Sequence, residues 1–257
     1  MAGGASDDGF RVDMHVKILD DEVVRRAKAR GLDALVYAPH FTRLPDIREA
    51  AARYSDDELL VVPARELFTG DWRSRRHVLA VGLSDPVPDF LTLEGTMAEL
   101  RRQNAAVLVP HPEFLTVSLD IEQIREYREQ IDAVEVYNPK HWKRDNRRAL
   151  EIARDTGLPT FASSYAHLPK TVGEVWTSFR EPMESTEDLV TALQAGAPRR
   201  IFHREGLDHR LRKTAEFAHL FWENTYKKFD RIYLQGTEPT HPGHIFYRDE
   251  FDDVRLY

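Results

Sequence analysis

The 257-residue sequence contains no cysteine. Disulfides, thiolate nucleophiles and sulfur-ligated zinc are therefore excluded, and a metal would have to be held by imidazole and carboxylate, a donor set suited to zinc, iron or manganese. No apolar run approaches the ~18 residues of a membrane span, and the first nine residues are small and acidic rather than a basic-then-apolar leader. A cytoplasmic chain with no membrane partner is expected. Positive charge is in deficit, with 36 Lys and Arg against 43 Asp and Glu, a formal net charge of -7. That balance argues against a surface that coats nucleic acid generally, so an anionic ligand would be met by a local basic patch. Internal repeats and low-complexity segments are also lacking.

What is present is an apolar content of 42%, enough for one sizeable core, in a length suited to a single α/β barrel. The patterning predicts a strand through 11–17, a helix opened by Asp20, Asp21 and Glu22 and closed by Gly31, and a strand over 34–38. A helix over 47–54, a strand running to Glu66, an arginine-rich loop over 68–76 and a strand over 77–82 follow. Further helices are predicted over 93–104, 120–130 and 146–156, with strands before His111, over 133–137, before Tyr165 and over 172–179. This β–α rhythm implies a mostly parallel sheet of about seven units closed into a barrel. Residues 1–9 read as a disordered start and 10–202 as the barrel. A helix over 208–229 and an extended tail, packed on the barrel, complete 203–257.

The polar residues fall where such a barrel would gather them. Alternation along the first strand sends Asp13, His15 and Lys17 to one face. His40, Glu66, His111 and His167 each follow an apolar run, and His77 opens one. Strand ends of a barrel converge on one mouth. A lone histidine there is most often a hydrogen-bonded barrel residue, but five with a glutamate point to a metal site. Two segments pair tryptophan with basic residues: Trp72, Arg73 and Arg76 before His77, and Lys140, Trp142 and Arg144 after the strand that ends at Asn138. With Arg43 they suit a nucleobase stacked beside its phosphate, and equally a solvated basic loop anchored by its indole. His241-Pro242-Gly243-His244 reads as a turn, because outside a helix its spacing fixes no ligand geometry.

Taken in order, Asp13-x-His15, Pro39-His40, Glu66, His77, His111-Pro112, Glu135-Val136-Tyr137-Asn138, Ser164-Tyr165-Ala166-His167 and Thr171-Val172-Gly173 resemble the motifs of the PHP (polymerase and histidinol phosphatase) family over residues 11–180. The resemblance implies a distorted, TIM-like seven-stranded barrel that hydrolyses phosphate esters with a cluster of up to three metals. Departures are specific: Lys17 stands where the family has a second histidine, Tyr165 where it has an aspartate, and Pro39 where an aspartate precedes the ligand histidine. By this resemblance Glu66, His77 and His111 form one metal position, and His40, His167 and an acid from Asp20 or Asp21 a second. A third, left with only His15 and Glu66, is lost as a unit.

The expectation is thus two divalent ions (zinc, manganese or iron), with the Lys17 ammonium in the vacated position and Tyr165 donating a phenolic hydrogen bond. The implied substrate is a phosphorylated small molecule, nucleotide or oligonucleotide, hydrolysed by metal-activated water. The alternative is a catalytically silent barrel of the same type that binds RNA or a protein partner, which the replacements at Lys17 and Tyr165 favour. An amidohydrolase-like barrel is a third reading, weakened by Tyr165 where an activating aspartate would be sought.

Overall fold

The computed structural model describes residues 9–71, 74–114, 117–206 and 240–256. The helix expected over 208–229 lies outside them, as do Trp72 and Arg73. Nine strands among the described residues form one sheet: β1 (Phe10–Val16), β2 (Ala34–Tyr37), β3 (Leu60–Thr69), β4 (Arg76–Val81), β5 (Ala106–Val109), β6 (Ala133–Tyr137), β7 (Thr160–Ala162), β8 (Val175–Phe179) and β9 (Arg199–His203). Their order is β7-β6-β5-β4-β3-β2-β1-β8-β9. Seven successive strands therefore lie side by side in chain order, and β8 and β9 extend the sheet beyond β1. Across the remaining seam Val16 bridges Ala166, Lys17 N donates to Ala166 O at 2.9 Å, and the Thr177 hydroxyl both donates to and accepts from the Ala162 backbone at 3.0 Å. The sheet is a nearly closed barrel.

The helices are α1 (Asp21–Ala29), α2 (Leu44–Tyr54), α3 (Leu93–Arg102), α4 (Ile121–Glu126), α5 (Lys143–Thr156) and α6 (Thr186–Gln194). Their ends follow local chemistry. Asp20 accepts from Val23 N at 2.8 Å to cap α1, and Gly157, at φ +66, closes α5 in the left-handed conformation that a side chain resists. α6 opens on a capping box between Ser185 and Asp188. Neither α6 nor β9 was anticipated from sequence.

Two departures from the expected barrel shape the site. First, β4 runs antiparallel to both β3 and β5, because a short loop rather than a helix joins it to β3. β8 likewise pairs antiparallel with β1, so the sheet is mixed. Second, the register of β1 shifts between Asp13 and Val16, which breaks the alternation read along it. Val12 and Met14 join the interior, whereas the Asp13 carboxylate accepts from Ser164 N at 2.9 Å and Gly173 N at 2.8 Å. Asp13 ties the segment after β7 to β1. Burial raises its pKa to about 6 against the pull of those hydrogen bonds.

The barrel interior has two tiers. Val12, Met14, Val36, Val62, Ala64, Leu79, Val81, Leu108, Ala133 and Phe161 form one apolar cluster, joined by Met183, Leu189 and Leu193 from α6 and its approach. Continuing the inward rows toward the mouth, Ala64 is followed by Glu66, Leu79 is preceded by His77, and Ala133 is followed by Glu135. The polar tier therefore rests on a dry floor. Outside the barrel, Leu67, Val78, Val107, Val109, Val134 and Val136 pack with Leu100 and Ile152 of the helices. Residues 240–256 lie along 89–92, with Asp89 N donating to Thr240 O and Thr92 N to Val254 O, each at 2.8 Å. No helix among the described residues is long and apolar enough to cross a membrane.

Candidate metal centre

Glu66 is the centre of the polar tier and is fully buried. Its Oε2 accepts from Lys17 Nζ at 2.5 Å and meets His40 Nε2 at 2.5 Å. Its Oε1 faces His111 Nε2 at 3.1 Å, His77 Nδ1 at 3.3 Å and His15 Nε2 at 3.9 Å. The fold explains how these distant residues meet. His15 and Lys17 leave the end of β1, His40 the turn after β2 and His111 the turn after β5. His77, the second residue of β4, lies opposite Phe68, and only the reversed direction of β4 brings the start of that strand to the mouth.

Electrostatics follow from burial and one cation. Burial alone would raise the Glu66 pKa, but Lys17 and the flanking histidines hold it well below the usual carboxylate range. Burial lowers Lys17 to about 8, with Glu66 opposing the drop. Burial pushes His15 well below its ordinary value and His40 to about 3, Lys17 reinforcing both, and lowers His77. Unprotonated imidazole is the form that binds a metal.

Glu66, His77 and His111 each place a ligand atom so that all three lie within 4.8 Å of one another. Two observations show that these residues fit a cation. Ser118 Oγ donates to Phe114 O at 3.0 Å, so its 2.8 Å contact with His111 Nδ1 must be one it accepts. A neutral His111 then carries its proton on Nδ1 and turns its Nε2 lone pair toward Glu66 Oε1, 3.1 Å away, an arrangement that a shared cation between them relieves. Moreover, neither ring nitrogen of buried His77 has a hydrogen-bond partner among the described residues, which is costly for a polar group unless a ligand satisfies it. Two imidazoles and a carboxylate suit zinc, manganese or iron.

The other expected residues are distributed unevenly. Lys140, buried, donates to the Tyr165 carbonyl and lies 2.6 Å from His167 Nδ1. The Tyr165 ring forms a wall 4.8 Å from the His15 ring, 4.8 Å from His167 and 5.5 Å from His111. Lys140 Nζ lies 4.5 Å and Lys17 Nζ 5.5 Å from its centroid, so both ammoniums border one aromatic face system. Tyr165 holds φ +47, a strained value for a residue with a side chain. Asp20 and Asp21 are exposed at the start of α1, with Asp20 engaged in its cap; neither reaches Glu66's cluster. Arg43 pairs with Asp46 at 3.0 Å and stacks 4.6 Å from Phe246. Arg76 donates to Gln123 at 2.9 Å. Asn138 is buried and shapes a turn, bonding Glu135 and accepting from Lys140 N at 3.0 Å. Trp142 is half exposed at the start of α5, with Arg144 4.8 Å from its ring.

Three supporting residues had no role assigned from sequence, although Glu135 lies within one of the motifs. Glu135 accepts from His111 N at 2.8 Å and from Ser163 Oγ at 2.6 Å, holding His111 at its unusual φ of +36. Ser118 orients the His111 ring. Glu135 had a signal, since it puts an acid in an otherwise apolar inward row; the serines had none.

A family model described as PHP-associated matches residues 143–198, and no curated protein matches the sequence. Among solved structures, PsfC from Pseudomonas syringae aligns with a TM-score of 0.61 at 18% identity, covering 82% of this chain and 98% of its own. The lesion-specific endonuclease PfuEndoQ from Pyrococcus furiosus gives 0.55 at 16% identity over 79% of this chain, which spans only 60% of that enzyme. An amidohydrolase from Chromobacterium violaceum, solved with sulfate and no metal, gives 0.51 at 14% identity over 75% of this chain and 97% of its own. The fold and centre define an α/β barrel with a buried glutamate–histidine cluster at its mouth. The match to the PHP-associated family model is confined to residues 143–198, and the solved structures share the barrel fold.

Proposed function

We propose that this chain is a metal-dependent hydrolase of phosphate esters, with a divalent transition metal held by Glu66, His77 and His111. The observation that carries the reading is the buried Glu66 carboxylate faced by the His111 Nε2 lone pair and the unsatisfied His77 ring. When bound, such an ion supplies Lewis acidity toward a phosphoryl oxygen and an activated water. The chain's own residues do the rest. Lys17 keeps Glu66 ionised and fixed, Glu135 and Ser118 hold His111 in its ligand tautomer, and Lys17 and Lys140 present ammoniums to an anion resting against Tyr165. The half-exposed Trp142 beside Arg144 supports a nucleotide or oligonucleotide as the ester.

The test is metal analysis of protein purified without added metal, followed by hydrolysis of p-nitrophenyl phosphate and bis(p-nitrophenyl) phosphate by the zinc-, manganese- and iron-loaded forms. Bound metal and turnover, both abolished by His77→Ala, support the hydrolase. Protein that takes up none of these ions overturns it. One observation favours a second reading, a silent barrel that binds RNA or a protein partner: Lys17 occupies Glu66 Oε2 at 2.5 Å, removing an oxygen that a further ion would use. Metal uptake without turnover, together with RNA retention in filter binding, would select it.

A further inference from the structure

Two buried contacts bear on how many ions the centre takes. Lys140 Nζ lies 2.6 Å from His167 Nδ1 and also donates to the Tyr165 carbonyl. An ammonium has three donors and no acceptor. His167 Nδ1 must therefore accept, since a proton there would point at another proton. The carbonyl of Tyr165 lies 3.0 Å from the same nitrogen, but the ammonium at 2.6 Å is the closer of the two and can only donate. A neutral His167 then carries its hydrogen on Nε2 and has no second lone pair to offer. His40 is committed in a different way. Its Nε2 is 2.5 Å from Glu66 Oε2, closer than two atoms sharing an ion at metal–ligand lengths of about 2.0 Å would ordinarily approach, so the contact is a hydrogen bond donated by Nε2–H, and Nε2, the ring atom turned toward Glu66, offers no lone pair to an ion at that carboxylate.

His111 shows the opposite arrangement. There Ser118 takes the Nδ1 proton and leaves Nε2 bare toward Glu66. We infer that Lys140 fixes His167 as an Nε2–H donor, and that the centre consequently holds one divalent ion, at Glu66, His77 and His111, with His40 and His167 facing the site as hydrogen-bond donors. This inference rests on the metal-centre reading above and departs from the two ions expected from the family resemblance. Lys140 is a positioning residue in this arrangement. It converts a would-be ligand into a donor able to hold a phosphoryl or leaving-group oxygen.

The experiment is done on the full chain with zinc alone. Zinc per chain is measured by elemental analysis after equilibration and desalting. Histidine tautomers are read from long-range proton–nitrogen correlation spectra of the zinc-loaded, nitrogen-15-labelled protein, with His167 assigned by the signal lost in His167→Asn. One zinc per chain and an Nε2–H His167 are expected. Lys140→Met should move His167 to the Nδ1–H form or to a mixture, and Lys140→Arg, another donor without an acceptor, should keep the wild-type signature. Two or more zinc ions per chain, or an Nδ1–H His167 in the wild type, would overturn the inference and leave the hydrolase reading standing. No bound zinc would overturn the inference, and the hydrolase reading falls with it if manganese and iron are refused as well. If Lys140→Met does not fold, the wild-type stoichiometry and tautomer, with Lys140→Arg, still decide.

Discussion

At the scale of single residues, the Lys17–Glu66 pair is the contact on which the centre depends. Both groups are buried, and they meet at 2.5 Å. Removing one partner of a buried pair strands the other in a medium that solvates it poorly. Lys17→Met should therefore destabilise the metal-free protein by about 3–5 kcal/mol in urea unfolding, and part of that loss should return on adding zinc, because the ion offers Glu66 a replacement cation. A loss unaffected by zinc would place Glu66 outside the metal site. Ser118 is a subtler case. It touches no proposed ligand atom but holds the Nδ1 proton that leaves His111 Nε2 bare. Ser118→Ala should keep the fold and weaken zinc binding by about 10–100-fold, the usual cost of losing a ligand's outer hydrogen-bond partner, measured by competition with a chromophoric chelator. Glu66, His77 and His111 were legible in the sequence because each stands at the edge of an apolar run. Ser118 was not, because its role is defined only once the turn after β5 is folded.

At the scale of elements, the direction of β4 decides whether His77 belongs to the site at all. A parallel β4 would place its start at the floor of the barrel; the antiparallel one delivers His77 opposite Phe68. The sequence located this strand but not its direction, which depends on the short loop replacing a crossover helix. α6 gives only a weak periodic signal although Ser185 and Asp188 spell its capping box, since its apolar face is brief. Asp20 and Asp21 were legible as a helix start, and in the structure that is the work Asp20 does. Tertiary pairing was the least legible. Arg65 and Asp89 form a fully buried ion pair at 3.1 Å, in which Arg65 also donates to Thr42 O at 2.5 Å and Asp89 accepts from Phe68 N at 2.9 Å. Together they fasten the loop carrying His40 to β3 and to residues 89–92. Asp89→Asn leaves Arg65 as an uncompensated buried charge and should cost about 3–5 kcal/mol, whereas the double replacement Arg65→Met, Asp89→Leu should cost far less than the single. Equal losses in the two urea titrations would show that the pair does not act as a unit.

At the scale of the whole molecule, the barrel divides its interior between a dry floor and a polar mouth, and only the floor is self-sufficient. Val62 and Ala64 of β3 lie in the apolar cluster, while Glu66, two residues on along the same inward row, meets three imidazoles and an ammonium within 3.3 Å. The mouth is thus a region where buried polar groups await a ligand, which makes folding and metal binding linked equilibria. An ion bound only by the folded chain, at a free concentration 100 times its dissociation constant, should add about 2.7 kcal/mol to stability. Chelation should therefore lower the unfolding midpoint, and stepwise return of zinc should raise it logarithmically rather than to a plateau set at one equivalent. His77→Ala removes a ligand whose ring nitrogens make no hydrogen bond among the described residues, so it should change the chelated protein's midpoint little beyond the packing of one ring, yet abolish the response to zinc. If the variant still responded as the wild type does, zinc would be stabilising the fold from some other place, and the two-tier interior would owe its polar half to something other than a metal.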